Sequence, residues 1–391
     1  MSNGLIAFCD TPAARWSLNL TRPNLAGAQH PHEMQIFTVS MAGTVHQLTD
    51  ASPGLFQPAW SPEGRRMAVV RVGTANGTKH PTHEVWIMRV HVRLRSAERY
   101  PPSASNFGFV TRGFFPAWAP NGSTISFARL DHRGLVQLWA FDLDTRRERQ
   151  LTFQDHHGRS SWSPDGTKLA FWRVAEPIVL NNGAALEENY QYGRDRHGRP
   201  LSEHYKICPS PRVKAGDPGE GHIHRFYRCS NQWPGHIHVM RSSDGQGEQA
   251  FTHMEPNRLL RGHHALAQNM PDWSREHGGV VYWEGQIVTG PGDAVARMRS
   301  AQGDHAPPAA LTDLSGFGAM ADDPVWSPDG RWIAYASYHG GGIFIGVSYI
   351  SNLDLPRATF KHLRSLTRLG GSVAPTPSWQ DWSDMIFSQG G

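Results

Sequence analysis

An all-β fold of short, four-stranded sheets is what this sequence predicts, and three observations predict it. The first is a recurring unit: Trp162-Ser163-Pro164-Asp165-Gly166 runs straight into the apolar stretch Leu169-Ala170-Phe171-Trp172. Trp60-Ser61-Pro62-Glu63-Gly64 leads likewise to Met67–Val70, Trp118-Ala119-Pro120-Asn121-Gly122 to Ile125–Phe127, and Trp326-Ser327-Pro328-Asp329-Gly330 to Ile333–Tyr335. Worn copies stand at Pro271–Ser274 before Val280–Tyr282, and at Pro377–Trp379 before Met385–Phe387. The second is the sequel to each unit: another apolar run, such as Val85–Met88 or Gln137–Phe141, then a short segment ending in Leu-Thr at Leu48-Thr49, Leu151-Thr152, Leu311-Thr312 and Leu366-Thr367. The third is spacing, since successive tryptophans of the unit stand 58, 44, 53 and 53 residues apart, with one gap of 111 from Trp162 to Trp273.

Each part of the unit has a physical reading. Ser-Pro-Asp-Gly is turn chemistry: Pro presets φ, Asp bonds its own backbone, and Gly accepts the positive φ that closes the reversal. The Trp ends one strand and the apolar run makes the next. Four short strands per unit make a propeller blade, and a four-stranded sheet that cannot cover both its faces must stack with others around an axis. In chain order, Leu5–Phe8, Met34–Val39 and Val45–Leu48 are strands lacking their own Trp unit, while Pro377–Phe387 has the unit without later strands. The two ends therefore complete one blade between them, which removes an exposed sheet edge. The gap of 111 residues equals about two periods, so the expectation is seven blades, with a degraded unit near 210–260 whose later strands are Ile237–Arg241 and Glu248–Thr252. Six blades with a long insertion after Trp162 is the alternative. The whole of 1–391 reads as a single propeller domain, with 177–235 as a long loop over one face, where function tends to reside.

Composition narrows the function classes. With 18% charged residues, 40 Gly and 28 Pro, the chain suits a turn-rich globular protein and not a disordered one. No apolar run approaches the roughly 20 residues of a membrane span, and no basic stretch interleaved with aromatics suggests nucleic-acid binding. Met1–Trp16 shows no signal-peptide pattern, so the expectation is a cytoplasmic protein unless a leader has been removed from a periplasmic or secreted one. A monomer is expected. Only Lys79, Lys168, Lys206, Lys214 and Lys361 are lysines among 38 basic residues. The planar, two-pronged Arg head favours acidic ligands, although a codon preference gives the same bias. Three cysteines, Cys9, Cys208 and Cys229, do not fix the compartment.

The blade pattern resembles the TolB-type, WD40-like propeller repeat over nearly the whole chain. That resemblance implies the fold; the group spans the periplasmic scaffold TolB, propeller domains of prolyl-oligopeptidase relatives, and uronate-cleaving polysaccharide lyases. No Gly-x-Ser-x-Gly elbow occurs, which sets the peptidase branch aside.

Histidine carries the functional reading. Most of the 22 fall in two equivalent places: before the third strand (His30, His32, His80, His83, His132, His236, His238, His339) and in the loop entering the Trp strand (His156, His157, His263, His264). Both loop types open on one face of a propeller, so these imidazoles are expected to converge at the channel mouth, although a single such His more often caps a turn or packs on an aromatic. Two chemistries fit. In one, His132, His156, His157, Tyr192, Tyr205 and Arg225 perform proton transfer and carboxylate neutralisation in β-elimination from a uronic acid, with His83, Arg194, His263, His264 and His339 binding the glycan. Ulvan and rhamnose-glucuronate lyases resemble this arrangement, which makes an acidic polysaccharide or oligosaccharide the expected partner. In the other, histidines hold a divalent metal. Oligogalacturonate lyases carry a Gln-x-x-His-x-His manganese motif; here Leu369–Trp379 has no His, and the near-match of Gln232 with His236 and His238 is one residue too long and sits elsewhere, which argues against simple membership of that family while leaving His236 and His238 as candidate ligands of a manganese or calcium ion. His204, Cys208, His224 and Cys229 are a separate candidate for structural zinc, against a Cys208–Cys229 disulfide or two idle thiols. No organic cofactor is expected. The competing class is a non-catalytic scaffold of TolB kind, binding protein or glycan.

Overall fold

A computed structural model describes residues 4–10, 34–50, 54–74, 81–91, 103–132, 135–174, 236–252, 265–276, 278–287, 297–302, 320–339, 342–350, 360–369 and 377–380. Every regular element among them is a strand. Blade 1 contains β1 (Ile6–Asp10), β2 (Gln35–Val39) and β3 (Val45–Gln47). Blade 2 is β4 (Leu55–Trp60), β5 (Arg66–Thr74), β6 (Pro81–His91) and β7 (Ser103–Arg112). Blade 3 is β8 (Phe114–Trp118), β9 (Thr124–Leu130), β10 (Val136–Asp142) and β11 (Arg147–Gln150). Blade 4 is β12 (His156–Trp162), β13 (Lys168–Val174), β14 (His236–Arg241) and β15 (Gln249–Ala250). Blade 5 shows β16 (Ala265–Trp273), β17 (Gly279–Ile287) and β18 (Arg297–Gln302), and blade 6 is β19 (Met320–Trp326), β20 (Trp332–His339), β21 (Gly342–Ile350) and β22 (Phe360–Arg368). The last strand, β23 (Ser378–Trp379), returns to blade 1 and pairs antiparallel with β1, Ile6 opposite Trp379.

The turn unit folds as its chemistry dictates. In blade 4 the Ser163 hydroxyl donates to Asp165 at 2.6 Å and accepts the Lys168 N–H at 2.9 Å, Asp165 accepts the Thr167 N–H at 3.0 Å, and Gly166 sits at φ 71°. Blade 6 repeats this at Ser327, Asp329 and Gly330. The Leu-Thr ending is a staple. The Thr49 hydroxyl accepts the Ile36 N–H at 3.0 Å and donates to Gln35, and Thr152 does the same for Leu138 and Gln137.

This staple corrects one expectation. Thr252 accepts the Ile237 N–H at 3.0 Å, so 236–252 are third and outer strands. They pair through β14 onto β13, and complete the blade begun at Trp162 instead of belonging to a seventh unit. Among the described residues the sheets number six. Each packs on the next: buried residues of blades 1 to 4 form one continuous cluster, Ala170, Ile237 and Phe251 of blade 4 meet Val280 and Tyr282 of blade 5, and Ile345 and Val347 of blade 6 pack against Ile6 and Phe8 of blade 1.

Candidate functional site

The innermost strand of every blade faces the axis, and a polar channel of about 450 Å³ lies between them. Three positions before the Trp, five inner strands bulge and carry a non-glycine residue at positive φ: Gln57 (50°), Phe115 (53°), Arg159 (27°), Met270 (54°) and Asp323 (53°). The ladder registers shift at the same places, so the distortion is a repeated β-bulge. It re-aims side chains of unlike chemistry into one ring. Arg159 of blade 4 forms an ion pair with Asp323 of blade 6. Asp323 is buried, and Arg159 retains 17% of its side-chain surface.

Polar groups of the channel are engaged in joining blades. The residue before each Trp reaches the next blade: Ser378 accepts the Trp60 N–H at 3.0 Å, Ser161 accepts that of Trp273 at 2.9 Å, and Asp272 accepts that of Trp326 at 2.8 Å. Where that residue is Ala, its carbonyl takes the next blade's indole instead, Ala59 from Trp118 at 3.0 Å and Ala117 from Trp162 at 3.2 Å. Gln57 Oε1 accepts the Phe115 N–H at 2.7 Å. Desolvation pushes the Asp272 carboxyl up, against the pull of the Trp326 N–H and the Arg159 charge.

A second polar group lies in blade 4. Glu248 accepts from Arg173 at 2.8 Å and lies 3.1 Å from His238 Nδ1 and 3.8 Å from His157 Nε2, while Arg173 also holds Asp155 at 2.7 Å. His157 is 2% exposed and packs on Phe171, with ring centroids 5.5 Å apart. Burial pushes the His157 imidazole down, with Glu248 opposing. Burial also pushes the Glu248 carboxyl up, but the two flanking imidazoles and the Arg173 charge outweigh it and hold the group well below the usual carboxylate range. The arrangement is a carboxylate shared by one guanidinium and two imidazoles; the imidazoles are buried, while Glu248 and Arg173 keep 25% and 28% of their side-chain surface.

The expected site residues are spread over several blades. His83 lies inside β6, 8% exposed, edge-on to Phe56 and Phe114 at centroid distances of 5.9 Å. His132 stands exposed in the turn after β9. His156, His236 and His339 are placed as strand residues of β12, β14 and β20. Tyr192, Tyr205, Arg225, Arg194, His263, His264, His204, Cys208, His224 and Cys229 lie outside the described residues. Of the described histidines, the structure joins His157 to His238 through Glu248; this corrects the expectation that His83 and His157 open onto the channel mouth, since both are strand residues turned into the interior. Among the described residues, no group of three or more His, Cys, Asp or Glu is placed to hold a metal ion. Arg159, Asp323, Asp272, Arg173 and Glu248 escaped the sequence reading. Aligning the units on their tryptophans brings Arg159 and Asp323 to the same position, three residues before the Trp, where other units carry uncharged side chains.

No protein-family model matches this sequence, and no curated protein matches it. Among solved structures, TolB from Acinetobacter baumannii superposes with a TM-score of 0.51 at 14% identity, over 96% of this chain and 66% of that one. Hydrazine synthase of Kuenenia stuttgartiensis superposes with a TM-score of 0.50 at 11% identity, over 97% of this chain and 47% of that one. An oligogalacturonate lyase in complex with manganese reaches 0.41 at 15% identity, over 80% and 65%. The chain spans 66% and 47% of the first two proteins' lengths. What the likeness to TolB shows is the fold, a TolB-like β-propeller.

Proposed function

We propose that this chain is a non-catalytic binding propeller, a rigid disc whose faces and rim hold a protein or an acidic glycan. One observation carries the reading: of the histidines assigned to proton transfer, His157 is 2% exposed, packed on Phe171 and 3.8 Å from Glu248, and the glycan-binding candidate His83 is likewise buried, between Phe56 and Phe114. A catalytic acid or base has to reach a substrate proton within hydrogen-bond distance, directly or through one water. The ties between inner strands support the same reading, because they use the channel's polar groups to hold the blades together.

A lyase acting by β-elimination on a uronic-acid glycan is the second reading. It is favoured by the Glu248 carboxylate 3.8 Å from His157 and by burial, which keeps that imidazole neutral as a general base requires. Incubation with ulvan, gum arabic, polygalacturonate and glucuronan, with the ultraviolet absorbance of an unsaturated uronate as readout, separates the two. On the scaffold reading no substrate gives a rise, and immobilised glycans or partner proteins still retain the chain. A rise that disappears in His157→Ala overturns it in favour of the lyase.

A further inference from the structure

Five of the six described sheets show an outer strand, β3, β7, β11, β15 and β22, and a free strand edge is a template for pairing with another chain unless it is short, charged, bulged or covered. Most outer strands here obey that rule. β3 and β15 have 3 and 2 residues. β11 reads Arg-Glu-Arg-Gln, and β22 carries Lys361, Arg364 and Arg368. β7 is the long and nearly uncharged one, and its two register shifts against β6 lie on either side of Gly108. It is 10 residues long, about 30 Å at the strand rise, and has no charge from Ser103 to Thr111. No described strand pairs with its outer side. Two of the four exposed large apolar side chains among the described residues, Phe107 (42%) and Phe109 (44%), stand on it two residues apart. Between them is Gly108, where an added Cβ would meet nothing within 4 Å.

We propose that β7 is a dimerisation edge, which takes β7 of a second copy of this chain antiparallel about a twofold axis through Gly108. The argument for this occupant is self-complementarity of charge and shape. A twofold through Gly108 sets Phe107 of each protomer opposite Phe109 of its partner, giving two aromatic cross-strand pairs flanking an unobstructed centre. The only charge of the strand, Arg112, stands at its end, beyond the bulge at Val110, so no like charges meet at the centre. The same construction on β11 or β22 would bring several charged side chains of one edge against those of its copy. The dimer replaces the monomer expected from sequence and stands whether the chain is a scaffold or an enzyme.

Sedimentation equilibrium on the full chain tests this through a charge swap. The wild-type mass is expected to rise with concentration from 43.5 kDa toward twice that value. Phe107→Lys with Phe109→Lys places lysine against lysine and is expected to hold the mass at one protomer. Phe107→Lys with Phe109→Glu places lysine against glutamate in the twofold register and is expected to restore the dimer. All three proteins are compared by circular dichroism and melting, and a variant that does not fold is replaced by the same swap written with Gln and Glu at these positions. A wild type that stays at one protomer up to its solubility limit overturns the proposal. So does a dimer that survives the double lysine change, and failure of the Lys/Glu variant to re-associate overturns the twofold register.

Discussion

Each sheet of the ring has two edge strands, and they are finished differently. Along the axis, five inner strands place Pro two residues before the Trp (Pro58, Pro116, Pro271, Pro324 and Pro377), so that position offers the channel no N–H. The residue between Pro and Trp then turns to the neighbouring blade, through Ser378, Asp272, or the carbonyls of Ala59 and Ala117. Along the rim the edges share no such device: β11 is charged and 4 residues long, whereas β7 is long, uncharged up to Arg112 at its end, and carries two exposed Phe. The comparison teaches that the axis is where this chain is made rigid and the rim is where its surfaces differ from one another. A scaffold needs that division, because a binding edge can vary there without disturbing the ring.

The sharpest attempt to break this comparison is at the axis. Arg159→Ala or Asp323→Ala leaves one charge of the pair without its partner beside the channel, and a loss of about 3–5 kcal/mol is expected in urea unfolding. The double change Arg159→Met with Asp323→Leu is expected to recover part of that loss, since it removes both charges together. A loss no larger than that of a surface substitution would put rigidity elsewhere. A smaller effect is expected from pH, read through blade 4. The folded state holds the His157 imidazole below its ordinary value, so the unfolded chain takes up that proton first; stability is full above about 6.5 and falls as pH drops below it. Glu248 is also depressed in the folded state, so its contribution is present above about 4.3 and is lost as pH falls further. Melting temperature against pH is therefore expected to decline in two stages, and His157→Gln to flatten the first. At the rim the smallest effect is expected: Phe107→Lys, measured at concentrations where the chain is monomeric, changes unfolding stability by about 0.5 kcal/mol or less. A larger change would mean that the Phe107 ring supports the blade and is not a surface feature.

Much of the architecture was legible because the repeat carries its own chemistry. Ser163, Asp165 and Gly166 make the turn their side chains dictate, and the terminal Thr of the Leu-Thr segments proves to be the acceptor for a third-strand N–H. The same staple, read at Thr252, assigns 236–252 to the Trp162 blade, a step the sequence spacing missed because Phe251-Thr252 breaks the Leu-Thr wording. The histidine reading erred on strand limits. β6 begins at Pro81 and β12 at His156, so His83 and His157 are strand residues, and the two-residue pleat turns them inward. Nothing in the sequence marks the positive-φ ring, since Gln57, Phe115, Arg159, Met270 and Asp323 are not glycines. The Arg159–Asp323 pair joins residues 164 apart on blades that are not neighbours, beyond what a repeat period reveals.

The seam of blade 1 has a consequence for how the ring comes into being. Gln380 donates its backbone N–H to the Leu5 carbonyl at 2.9 Å and its side-chain amide to Gly64 at 2.6 Å, and its Oε1 accepts the Leu5 N–H across 375 residues of chain. Closing a flexible loop of that length carries an entropy cost of about 5 kcal/mol, against which a two-residue strand and three hydrogen bonds are a small return. The clasp therefore forms only after the intervening sheets have folded and shortened the distance between the chain ends. Until residue 380 has left the ribosome, β1 lacks its inner neighbour, so the N-terminal strands wait longest for their final partner although they are made first.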